Sequence, residues 1–202
     1  MKLYFSPGAC SLSPHIVLEE TGLPYTLVKA STKTHQLDDG TDFYTINPLG
    51  YVPVLELADG RRLFEGPAIV QYLADQAPEK HLAPANGTFE RYRLQGWLNF
   101  VGTEVHKSFG PLFNPKSSDE VKANAKAYIS KRLAWVDSEL AQRPYLNGDA
   151  VSVADFYLFV VTNWAKPVGL DIAGLTHLNA FRDRIANRPA VQAAMRQEGL
   201  LG

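Results

Sequence analysis

Every strand signal in this chain falls before residue 65, and every long helical signal falls after residue 87. The early part alternates. Lys2-Leu3-Tyr4-Phe5 reads as a short strand, Pro7-Gly8 as a turn, and Ser11 or Ser13 with Pro14 as a helix start. Gly22 reads as the helix stop, followed by a second strand at Tyr25-Thr26-Leu27-Val28 and a polar loop over 31–41. The runs 52–57 and 62–64 flank Asp59-Gly60, a hairpin signal. A further helix opens at Gly66-Pro67, with Ala68, Ile69, Tyr72 and Leu73 at helical spacing. Strand, helix, strand, hairpin, helix predicts a mixed sheet covered by helices, an α/β arrangement.

A Pro, Ala and Gly-rich stretch over 78–87 then separates this part from one that reads as helix throughout. A helical pattern covers 88–113, with Leu94, Leu98, Val101, Val105 and Leu112 on one stripe, and a second covers 118–143. Ser152-Val153-Ala154-Asp155 opens a third as a capping box, Asp standing for the usual Glu or Gln, with Val151 and Phe156 as its staple. Two more helical segments in the tail are broken at Pro189. The expected division is a first domain over 1–78, a linker over 79–87 and an all-helical domain over 88–202.

The 202 residues carry a formal net charge of −1 with no long run of one sign, which argues against a nucleic-acid partner. The single cysteine cannot form an internal disulfide, which suits a reducing compartment. Ser6-Pro7-Gly8 interrupts any secretory apolar core, and the longest apolar stretch, 156–161, is too short to span a bilayer. A cytoplasmic protein without membrane contact is expected. No C-x-x-C, phosphate-binding glycine loop, H-E-x-x-H or serine nucleophile elbow is present, and the five histidines lack ligand spacing, so no metal site is expected.

Four places are candidates for chemistry. Cys10 sits between the first strand and the first helix, where free N–H groups and the positive end of the helix dipole lower a thiol pKa from its usual value near ~8.5. A small buried hydrophobe is the alternative, and position alone leaves both open. Pro53 interrupts a good strand, so Val52-Pro53 belongs at an edge or bend, where an exposed Val52 backbone pairs with a peptide-like ligand. From that residue alone the trans form is favoured. Glu65-Gly66-Pro67 repeats a strand-to-helix junction, which attracts a carboxylate and allows close approach at Gly66, unless Glu65 simply complements the dipole. Asn99, Thr103 and His106 fall at i, i+4 and i+7 as a polar stripe, with Glu104 and Lys107 beside it as a solvated face.

Together these stretches resemble a bacterial beta-class glutathione transferase. The resemblance is carried by Ser6-Pro7-Gly8-Ala9-Cys10-Ser11-Leu12-Ser13-Pro14-His15, Asn47-Pro48 with Val52-Pro53-Val54-Leu55, Glu65-Gly66 with 68–73, Trp97-Leu98-Asn99-Phe100 with Glu104-Val105-His106-Lys107, and the capping box. It implies a thioredoxin-like first domain binding glutathione, an all-helical second domain forming the electrophile side, and a homodimer. It further implies that Cys10 lies against the glutathione sulfur and forms a mixed disulfide with it, and that Pro53 is cis, reversing the reading above. Val52 would bond the cysteinyl backbone of glutathione, and Glu65 and Gly66 its γ-glutamyl end. Asn99, Thr103, Glu104 and His106 would line the cleft, with His106 near the sulfurs. The implied reaction is conjugation of glutathione to small apolar electrophiles in detoxification. A glutaredoxin-like thiol–disulfide oxidoreductase, suggested by the C-x-x-S of Cys10 and Ser13, is one rival, and a non-enzymatic binding protein of the same fold is the other. Phe5 lacks the hydroxyl of tyrosine-type relatives, leaving thiol activation to Cys10, Ser11 and His106. His35 stands where relatives often carry a lysine that meets the glycine carboxylate, and Leu49 and Tyr51 replace polar residues nearby.

Overall fold

The computed structural model describes residues 1–201. Strand β1 (Lys2–Phe5) leads through the Cys10 loop into α1 (Leu12–Thr21), and β2 (Thr26–Lys29) returns parallel to β1. The hairpin of β3 (Val54–Glu56) and β4 (Arg62–Phe64) adds antiparallel on the other side of β1, giving the order β2-β1-β3-β4. The mixed sheet expected from the signal order is present. Strand β3 starts two residues later than the apolar run suggests, so Val52 and Pro53 stand outside the paired register.

Alternation along β1 gives each face its own core. Tyr4 and its partner Val54 pack with Phe43, Ile46, Val52 and Ala30, which come from the long connection after β2. Leu3 and its partner Leu55 are fully buried on the opposite face. Helix α1 is buried nearly all round because it packs against both α2 (Gly66–Asp75) and a helix from the far end of the chain. Gly22 closes α1 in the left-handed conformation, its N–H donating to Leu18 O, as its stop signal required.

Beyond residue 81 come α3 (Phe89–Phe100), a π-helical turn over Val101–His106, a 3₁₀ turn over Lys107–Phe109 and α4 (Gly110–Phe113). They are followed by α5 (Asp119–Leu140), α6 (Val153–Thr162), α7 (Thr176–Ala186) and α8 (Pro189–Gln197). The pattern over 88–113 is therefore not one regular helix. Gly102 contributes no side-chain packing there, and the Thr103 hydroxyl donates back to Asn99 O at 3.0 Å, competing with the regular ladder. Helix α6 is buried at every position, and Asp155 anchors its start by accepting from Ser152 N–H and Oγ at 2.7 Å and from Leu146 N–H at 2.8 Å. None of the described helices is long and apolar enough to cross a membrane.

The chain divides into two compact units, residues 1–81 with the tail from Arg188 onward, and Leu82–Asn187. The tail thus departs from the expected division, which placed it in the helical domain. Its reason is polar and buried. His15 Nδ1 on α1 meets Glu198 Oε1 at 2.9 Å with both side chains fully shielded from solvent. Glu198 Oε2 accepts from Gly8 N–H at 2.9 Å, and Arg188 holds Glu20 with two hydrogen bonds. Replacing Glu198 by Ala removes the carboxylate that meets the fully buried Nδ1 of His15. Glu198→Ala should lower the unfolding free energy by about 3 kcal/mol in urea titrations. Arg61→Ala, at the exposed Arg61–Asp59 pair, should leave the midpoint unmoved.

Candidate active site

The loop bearing Cys10 is closed on itself. Ala9 N–H donates to Ser6 O at 3.0 Å, Ser6 N–H to Ser11 Oγ at 3.1 Å, and Ser11 Oγ back to Ser6 O at 3.2 Å. Ser11 is fully buried, so its hydroxyl shapes the loop and does not face a ligand sulfur. The helix start also differs from expectation. Leu12 N–H donates to Ala9 O and Ser13 N–H to Cys10 O, while Pro14 has no N–H, so the first turn of α1 has spent these donors. Cys10 is half-buried, and its Sγ donates to Val52 O at 3.4 Å. A bond given by the thiol favours its protonated form, so an ionised sulfur has to leave that carbonyl.

The Val52–Pro53 peptide is cis, as the resemblance implied. Beside it lies the start of α2. Ala68 and Ile69 donate to Glu65 O and Pro67 has no N–H, so the helix itself makes no use of Gly66 N–H. A Cβ added to Gly66 would meet only Pro53 Cγ at 3.8 Å. Nothing in the protein therefore demands glycine there. Glu65 is exposed and sits at φ 66°, a region that costs a non-glycine residue about 1–3 kcal/mol. Strain of this kind concentrates at ligand-holding positions.

His35 also lies at positive φ, 54°. Its Nδ1 donates to Gly50 O at 3.1 Å, and its ring lies against Tyr44 with centroids 4.7 Å apart. Gly50 is obligatory: at φ 67°, a Cβ there would stand 2.7 Å from both His35 Nδ1 and Tyr44 Cε1. Asn47 shapes the rest of this loop, donating to Tyr51 O at 2.7 Å and accepting from Leu49 N–H at 3.1 Å. Cys10 is thus in direct contact with Val52, Gly66 lies beside Pro53, and His35 is fixed by its bond to Gly50.

In the helical unit the predicted polar stripe is split by the π turn, which inserts about one extra residue. Asn99 and Thr103 are exposed and bonded to each other through the Thr103 hydroxyl. Glu104 turns to α5, accepting from Tyr128 Oη at 2.5 Å and Arg132 Nε at 2.8 Å, and the Tyr128 bond foremost holds its carboxyl below the usual value. His106 turns the other way. Its Nδ1 lies 2.5 Å from Tyr157 Oη, and its ring meets Trp164 edge-on at 4.9 Å. Burial, helped by the Lys107 charge, pulls its pKa down to about 4, so the ring is neutral at physiological pH.

Tyr157 and Trp164 were missed in the sequence. Tyr157 was absorbed in the apolar stretch 156–161, although a buried tyrosine hydroxyl needs a polar partner and so points to one. Among the described residues no group of His, Cys, Asp and Glu side chains is arranged to hold a metal ion.

Comparison with known proteins is consistent along the chain. Residues 8–76 match the family described as glutathione S-transferase, N-terminal domain, and residues 100–189 match glutathione S-transferase, C-terminal domain. Glutathione S-transferase GstA of Escherichia coli O157:H7 is 44% identical over 200 residues, covering 99% of this chain and all of its own. A sphingomonad glutathione S-transferase solved in complex with glutathione is 50% identical, with a TM-score of 0.96 and full coverage of both chains. The beta-class glutathione S-transferase of Sphingomonas chungbukensis is 49% identical, with a TM-score of 0.97 and full coverage of both.

The depressed His106 pKa has a measurable sign. Between 6.5, its ordinary value, and about 4, the unfolded chain takes up a proton that the folded chain refuses, so acidification through this window favours unfolding. Asp155 acts oppositely, since burial pushes its carboxyl up from 3.8 to about 6 and the folded chain holds the extra proton there. Comparing wild type with His106→Gln isolates the histidine. From neutral pH to about pH 4, wild type should lose roughly 3 kcal/mol of unfolding free energy relative to the variant.

Proposed function

The chain belongs to the glutathione S-transferase family, in its bacterial beta class, and on that premise we propose that it conjugates glutathione to small apolar electrophiles, with Cys10 against the glutathione sulfur. The observation that supports this reading most is the contact of Cys10 Sγ with Val52 O, beside cis Pro53 and the start of α2. Glutathione is an extended γ-linked tripeptide. Its γ-glutamyl carboxylate suits Gly66 N–H and the positive end of α2, and Glu65 suits the ammonium group. Its cysteinyl backbone suits Val52. When the peptide N–H takes the Val52 carbonyl, the Cys10 thiol loses its acceptor and is released to ionise.

In conjugation the glutathione thiolate attacks an electrophilic carbon, the leaving group departs with the bonding pair, and the thiol proton passes to solvent. In exchange, the Cys10 thiolate attacks glutathione disulfide, forming a Cys10–glutathione disulfide and expelling one glutathione thiolate. Asn99, Thr103, Glu104 and His106 enter from family correspondence, as do the homodimer and the cytoplasmic setting. His106 acts as a neutral hydrogen-bonding group and not as a cation. The thiol-exchange reading keeps one supporting observation: the Ser13 hydroxyl of the C-x-x-S sequence is buried without a partner among the described residues. Turnover on a chloronitrobenzene compared with turnover on a mixed disulfide separates the two.

Three outcomes are expected. Incubated with glutathione disulfide, the chain should gain one glutathione on Cys10 that a thiol reductant releases, and mass spectrometry finding no gain in mass would refute the assignment. Gly66→Ala should raise the glutathione KM by about tenfold with little change in thermal stability, because the added methyl makes only an ordinary contact with Pro53 and stands toward the ligand. His35 donates through Nδ1 to Gly50 O, which fixes the ring in the loop proposed to meet the glycine carboxylate of glutathione. Glutathione affinity by calorimetry should therefore fall by about tenfold in His35→Ala and be retained in His35→Lys.

A further inference from the structure

We propose that Tyr157 is a positioning residue for the transfer reaction, its hydroxyl donating to His106 Nδ1 so that the ring carries its proton on Nε2. The inference rests on the reading above, in which His106 serves the reacting sulfur. A neutral imidazole has one N–H and one acceptor nitrogen, and which nitrogen is which follows from the bond the other makes. Here the 2.5 Å contact with Tyr157 Oη falls on Nδ1, and the two rings stand edge to face at 86° with centroids 5.7 Å apart. Trp164 meets the same imidazole edge-on at 68°, so rotation of the ring is restricted on two sides. A phenol is the better donor toward a neutral imidazole nitrogen. With Nδ1 accepting, Nε2–H remains as a donor, which suits a sulfur gaining negative charge, whereas the other tautomer presents a lone pair to it.

The rest of the helical unit makes the placement rigid. Tyr157 is 4% exposed and lies two residues after Asp155, whose carboxylate ties the start of α6 to Ser152 and Leu146. Gly102 in the π turn leaves room beside the hydroxyl, since a Cβ there would come to 3.7 Å of Tyr157 Oη. Burial keeps the imidazole neutral and so keeps the tautomer question relevant at physiological pH.

The test combines nitrogen-resolved NMR of labelled imidazole with kinetics on the whole chain. In wild type, His106 should show a protonated Nε2 and an accepting Nδ1. Tyr157→Phe should lose that signature and lower kcat for chloronitrobenzene conjugation by about tenfold, with the glutathione KM changing less than about twofold. A wild-type signal with the proton on Nδ1 overturns the tautomer, whether or not the chain is active. A kcat loss in His106→Gln but not in Tyr157→Phe overturns the positioning role. No loss in either variant overturns the underlying reading of His106, and is recognisable because the NMR signature does not depend on turnover.

Discussion

The buried carboxylate of Glu198 holds together what the candidate chemistry requires. One oxygen takes His15 on α1 and the other takes Gly8 N–H in the loop that carries Cys10, so residues separated by most of the chain's length fix the geometry of its only thiol. Both side chains of the His15–Glu198 contact are inaccessible to solvent. Such a bond is costly to break because each partner is left unsatisfied in a medium that cannot replace it. The same contact brings the tail back to the first unit, where α8 packs on α1 as α2 does.

Two helix starts in this unit look alike in sequence and behave differently. At α1 the donors of Leu12 and Ser13 are consumed by Ala9 O and Cys10 O, and the loop is locked by Ser11. At α2 the donor of Gly66 is left unused by the helix, with no methyl group in front of it. The first start therefore presents a sulfur and the second presents an N–H. That difference supports the proposal of thiol chemistry at one junction and carboxylate recognition at the other.

Much of this was legible from residue order. Short apolar runs, Asp59-Gly60, Gly22 and the Ser152–Asp155 box each act locally, and they located the strands, the hairpin and the helix ends. Cys10, Val52, Pro53 and Gly66 are legible as separate candidates, and the structure joins Cys10 to Val52 by contact and sets Gly66 beside Pro53. What escaped depends on distant partners. Ser11 was given a role toward sulfur because the return bond from Ser6 has no sequence signature. The polar stripe assumed regular α-helical spacing, and the π turn sends Glu104 and His106 to different neighbours. Tyr157 was read as part of an apolar run, since its single oxygen counts for little in a hydropathy pattern. The tail was assigned by chain continuity, which carries no information about Glu198 meeting His15.

The central claim is that Cys10 faces the sulfur of a glutathione held by Val52 and the start of α2. A crystal structure of the chain with glutathione tests it most directly. The account predicts the two sulfurs in contact or bonded, with the cysteinyl backbone paired to Val52 and the γ-glutamyl carboxylate on Gly66 N–H. Glutathione bound with its sulfur turned away from Cys10, or its backbone not paired to Val52, would contradict it.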